Sequence, residues 1–117
     1  MTGAIDTVDG LARCLGNSEL YRRMLSRFRG MHADLESALS AVPASTSIEE
    51  LLRRLHDLQG LAGTIGAKAL QASAQALHTA LAAGDRAGAE DRRAHMAVEL
   101  RDAMREIDRL LLANKGT

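Results

Sequence analysis

One side chain stands out for its chemistry: His56, at the head of the run His56-Asp57-Leu58-Gln59-Gly60-Leu61-Ala62-Gly63-Thr64-Ile65-Gly66. A neutral imidazole offers a nucleophilic lone pair on one ring nitrogen while a neighbour can hold the proton on the other. The run otherwise has the apolar spacing of a helix, where residues at i+4 and i+7 share a face with residue i. Those positions are Gly60 and Gly63. Glycine inside a helix costs about 1 kcal/mol relative to alanine. Two of them beside one imidazole imply that something large must approach it closely.

His56 follows Leu55 of the apolar stripe by one residue, about 100° of helix rotation, which predicts a partly exposed place at the core's edge. A lone histidine there reads as a boundary residue; the glycines and the small pair Ala62-Gly63 turn the reading toward a site. His78 lies as far after Ala67 as His56 lies before it, eleven residues each way. In an antiparallel hairpin turning at Ala67, both would sit roughly 16 Å from the turn. If their faces match, His78 can bond one nitrogen of His56 and direct the other; otherwise it is a surface residue beside Leu77.

The elements that position these residues are helical. Ile5 to Cys14 reads as a short helix with Ile5, Val8 and Leu11 on one side, broken by Gly16-Asn17-Ser18. Asn17 or Ser18 can cap a second helix carrying Leu20, Met24, Phe28, Met31, Leu35 and Leu39, with Tyr21, Leu25 and Ala38 beside them. Ser40 to Ser47 is the longest loop. Thr46 or Ser47, each three residues before a glutamate, opens a third helix by a capping box. Ile48, Leu51, Leu52, Leu55, Leu58, Ala62 and Ile65 form its stripe, and Gly66 ends it. A fourth helix runs from about Ala67 to Ala83 through Leu70, Ala74, Leu77 and Leu81. A long last one starts near Asp85 and carries Met96, Leu100, Ala103, Ile107 and Leu110. The expectation is an all-α fold, an antiparallel up-down four-helix bundle with an additional short N-terminal helix covering one end. Residues 1–117 form one domain.

Composition agrees. Apolar residues make up 46% of the chain, drawn from Leu, Ala and Met with one Phe, one Tyr and no Trp, which suits helices better than a sheet. Fifteen basic residues balance fifteen acidic ones, so the basic face of a nucleic-acid binder is not expected. No apolar run approaches the roughly 18 residues of a membrane span, and no signal peptide is visible. The single Cys14 fits a reducing compartment and acts as a small apolar side chain. These features predict a cytoplasmic monomer.

From His56 to Ala67 the chain resembles the signature of the histidine-containing phosphotransfer (HPt) domain: His-x-Leu-Lys-Gly, small residues, then a hydrophobic-Gly pair. Leu20-Tyr21-Arg22-Arg23-Met24-Leu25 with Phe28 also resembles that family's first bundle helix, and the likeness covers essentially the whole chain. It implies that His56 accepts and donates a phosphoryl group, that Gly60 gives an incoming receiver domain room, and that Gly63 keeps the same face low. His78 falls where many members carry Gln or Glu against the active imidazole. Gln59 departs from the pattern, because it stands where the family usually has a lysine whose charge stabilises the phosphate. Arg53, at i−3, is either a replacement cation or an ordinary solvated charge, and Lys68 is a more distant candidate.

The resemblance implies response-regulator receiver domains as partners, with no cofactor in this domain and Mg2+ on the receiver. Bundle di-metal sites need Glu-x-x-His motifs, and His32, His56, His78 and His95 never pair at i, i+3 or i+4. No nucleotide-binding loop is present, so the chain cannot phosphorylate itself from ATP, and whether it counts as an enzyme stays open. His32 and His95 read as surface or boundary residues. The expected function is a phosphorelay intermediate, from receiver aspartate to His56 to another receiver. The alternative is a non-catalytic helical docking module, favoured by Gln59. The resemblance, with the short lead Met1 to Ala4, implies the terminus of a hybrid sensor histidine kinase, whose parent chain can be membrane-anchored.

Overall fold

A computed structural model describes residues 4–40 and 47–115, with side chains at 4–35 and 47–112. Five helices and no strand occur among them: α1 (Thr7–Arg13), α2 (Ser18–Ser40), α3 (Ile48–Ile65), α4 (Lys68–Ala82) and α5 (Arg86–Lys115). The expected all-α bundle is therefore present. α2 packs on α3, α3 on α4, α4 on α5, and α5 closes back on α2, while α1 lies against α3 and α2 at one end.

The ends follow local chemistry. Asp6 caps α1 by accepting from the Asp9 N–H at 3.0 Å, so this helix is shorter than the expected Ile5 to Cys14. Asn17 Oδ1 accepts from the Leu20 N–H at 3.0 Å. Ser47 Oγ accepts from the Glu50 N–H at 3.0 Å and opens α3. Gly66 ends α3 at φ +88°, the left-handed conformation that a helix C-terminus commonly assigns to glycine. Thr46, the rest of the expected loop and the burial of Ala38 and Leu39 fall outside the described residues or side chains.

One end is pinned at the α3–α4 turn. The Asp6 N–H donates to the Gly66 carbonyl at 2.9 Å, and the buried Tyr21 hydroxyl donates to the Ile65 carbonyl at 2.9 Å. Burial pushes the Tyr21 phenol up to about 12. Gly10 faces the same turn, where a Cβ would stand 2.5 Å from the Ile65 carbonyl oxygen.

The core runs through Phe28, Leu55, Leu58, Leu70, Leu77, Met96, Leu100 and Ile107, all fully buried. Burying one such side chain contributes about 1.5–3 kcal/mol. α2 corrects the expected stripe: Tyr21, Leu25, Phe28, His32 and Leu35 point inward, Met24 is half-buried, and Leu20 and Met31 are exposed. The Tyr21 hydroxyl bond fixes this rotation. Val8 and Ile48 are likewise exposed rather than buried.

His32 is the largest correction. It is only 2% exposed, not a surface or boundary residue. Its ring lies 5.0 Å from that of Phe28, and neither ring nitrogen has a hydrogen-bond partner among the described residues. Burial holds its pKa below the ordinary imidazole value, with the Arg54 charge adding to the effect. His95 is exposed, and its Nε2 lies 3.4 Å from Glu99.

Candidate functional site

Leu55, Leu58, Ala62 and Ile65 aim α3 at the core, so the opposite arc is set by the 100° step between residues. Arg53, His56 and Gly60 fall within about 60° of one another on that arc. All three are exposed, so His56 stands on the outer face. One row of α3 therefore presents an imidazole, a cation and a bare stretch of backbone.

The two glycines beside His56 separate cleanly. A Cβ built on Gly60 would meet nothing within 4 Å, so nothing in the chain's own packing requires glycine there. Gly63 is buried, and its Cβ would stand 2.5 Å from Gln71 Nε2. Across that gap Gln71 Nε2 donates to the Gln59 carbonyl at 3.3 Å. Gly63 thus serves the packing of α4 on α3 and is not part of the open face. Gln59 is half-buried on the side toward α4.

Gly63 and Gln71 each lie four residues from Ala67, and their contact establishes the pairing register of α3 and α4. The same register sets His78 level with His56. The rings do not join: His78 is half-buried, His56 exposed, and no hydrogen bond links them among the described residues. Lys68 is also removed from the site. Its Nζ lies 3.6 Å from Asp6 and 3.8 Å from Asp9, at the α1 end.

On the other flank an open groove of about 440 Å³ separates α2 from α3. Met24, Arg27 and Met31 form its α2 wall, and Asp57, Gly60, Leu61 and Thr64 its α3 wall. Thr64 Oγ1 donates to the Gly60 carbonyl at 3.1 Å, so this hydroxyl is engaged within α3. Beyond the groove, Arg54 grips Asp34 with two bonds of 2.9 Å and donates to the Met31 carbonyl at 3.2 Å. That bond holds the Asp34 carboxyl below its usual range and raises the Arg54 pKa. Arg53 makes no ion pair among the described residues. No group of three or more His, Cys, Asp or Glu side chains among them is arranged to hold a metal ion.

Arg27 and Gln71 join the surroundings of the site without having been expected there. Gln71 carried a signal, since the equal-offset rule that pairs His56 with His78 also pairs Gly63 with Gln71. Arg27 carried none, because its place depends on how α2 rotates against α3.

The site is therefore an exposed imidazole on the outer face of an all-helical bundle, with the bare backbone of Gly60 and a groove of mixed polarity on the same flank. The chain belongs to the Hpt domain family, whose model, described as Hpt domain, matches residues 19–110. That range takes in α2, α3 and α4 almost whole and most of α5. The family places the chain in phosphotransfer within two-component signalling, where Hpt domains interact with receiver domains. No curated protein and no solved structure matches it significantly. No helix among the described residues is long and apolar enough to cross a membrane.

Proposed function

We propose that this chain is a phosphorelay intermediate. A receiver domain carrying an aspartyl phosphate docks on the outer face of α3 and the groove toward α2. A ring nitrogen of His56 lends its lone pair to phosphorus; the N–P bond forms as the P–O bond to the aspartate breaks, and the carboxylate leaves with its electron pair. The reverse step delivers the group to an aspartate on a second receiver. Positioning and charge stabilisation dominate phosphoryl transfer, and the receiver supplies most of both, together with its Mg2+.

The observation that carries this reading is Gly60. Its missing side chain answers no need of the fold, since a Cβ there would meet nothing. It also costs α3 about 1 kcal/mol of helix stability. A surface needed by a partner accounts for it. In this reading Arg53 supplies a cation on the His56 face, and Gln59 contributes hydrogen bonding without charge, which lowers phosphate stabilisation relative to a lysine. His78 is given no orienting role, because its ring makes no bond to His56. The domain needs no cofactor of its own, works in the cytoplasm and functions as a monomer.

The experiment is transfer of label from a radiolabelled, phosphorylated receiver to wild type and His56→Gln. The expected result is acid-labile, base-stable label on wild type alone. Binding of receivers without label on either protein would replace the relay by the docking module.

A further inference from the structure

The arginines on α2 and α3 divide evenly between paired and unpaired, and the grooves they line separate the unpaired ones. Arg23 bonds Glu19 at 3.1 Å, Arg29 bonds Asp108, and Arg54 bonds Asp34. Arg22, Arg27 and Arg53 make no ion pair among the described residues, and all three are exposed. Arg22 lines a different groove, with Ser26 and Asp108 between α2 and α5. Arg27 projects into the groove whose opposite wall is Gly60, one helical turn from His56. It faces Asp57 there without pairing to it.

We infer that Arg27 is a docking cation: it reaches across the groove from α2 toward the phosphoryl-bearing surface of the docked receiver. This rests on the phosphorelay reading above. Three observations carry it. The side chain makes no ion pair among the described residues, whereas Arg23, Arg29 and Arg54 on the same two helices are bound to acids. It borders the one bare stretch of α3 that the fold leaves open without need. Arg27 is the one cation among the residues that line this groove. Arg27 touches no reacting atom in this scheme. It raises the frequency of productive encounter, as a rim charge does.

A unit charge about 8 Å from one net opposite charge in water changes the encounter roughly twofold, and the effect disappears when salt shortens the Debye length to about 3 Å. The test is transfer from a phosphorylated receiver to wild type, Arg27→Gln, Arg27→Lys and Arg22→Gln, at about 0.01 M and about 1 M salt. Arg27→Gln is expected to raise KM roughly twofold at low salt with kcat unchanged, and the difference should vanish at high salt. Arg27→Lys should transfer like wild type, and Arg22→Gln should be unaffected. Equal behaviour of Arg27→Gln and Arg22→Gln, or a loss that persists at high salt, overturns the docking role while leaving the relay standing. An unlabelled wild type overturns both.

Discussion

Replacing His32 by leucine should stabilise this protein and flatten its response to acid. The ring is 2% exposed, lies 5.0 Å from Phe28, and leaves both nitrogens without a partner among the described residues. A buried polar group left unsatisfied costs about 1–3 kcal/mol. Leucine is similar in size and removes that penalty while keeping apolar contact with Phe28. A gain of about 1–2 kcal/mol follows; a chain of this length melts about 4 °C higher per kcal/mol, so Tm rises by about 4–8 °C. The pH dependence has a definite sign. The folded chain resists protonating His32, whose pKa is held below the ordinary 6.5 by burial and by Arg54. As pH falls below 6.5 the unfolded chain takes up a proton that the folded chain refuses, and stability drops. The slope from this group reaches at most about 1.4 kcal/mol per pH unit and ends at the folded pKa. Arg54 on α3 strengthens the effect, and Asp34 on α2 and Asp57 on α3 oppose it. Urea denaturation followed by circular dichroism at pH 7.5, 6.5 and 5.5 measures both quantities. A His32→Leu variant that is less stable than wild type, or that keeps the wild-type slope, would refute the reasoning.

Two glycines give predictions of opposite sign. Gly60→Ala should raise stability by about 1 kcal/mol, because the new methyl meets open space and alanine favours the helix. The same change should slow transfer from a phosphorylated receiver; an unchanged rate would remove Gly60 from the docking surface. Gly66→Ala should destabilise by more than about 2 kcal/mol in a thermal melt. Its φ of +88° disfavours any side chain, and its Cβ would stand 2.1 Å from the Asp6 carbonyl oxygen. A melt within 2 °C of wild type would contradict that account.

The bundle was legible because apolar spacing, caps and terminal glycines agree along most of the chain. Ser47, Gly66 and Asp85 mark ends that the structure places at or beside those residues. α2 was less legible because it carries two apolar rows side by side. Leu20, Met24 and Met31 compete with Tyr21, Leu25, Phe28 and Leu35, and only the contacts with α3 and α5 select the second row. That selection turns His32 inward. His56 and Gly60 were readable as a pair because helix periodicity fixes their common face. Gly63 sits at a similar angle but is covered from α4, and single-helix periodicity cannot show a neighbour's side chain lying across it. Lys68 was misplaced for the same reason, since its acidic partners arrive from α1.

The clasp at the α3–α4 turn matters for anyone who would transplant this domain. The family match begins at residue 19, yet the Asp6 N–H that satisfies the Gly66 carbonyl comes from earlier in the chain. Asp6 and Asp9, which hold Lys68, also precede it. A graft cut at the family boundary would leave that carbonyl and that ammonium unpartnered and expose the Ile65–Gly66 backbone that Gly10 covers. In a chimaera the transferable unit begins at Asp6 or earlier, with α1 travelling as the bundle's own end plate.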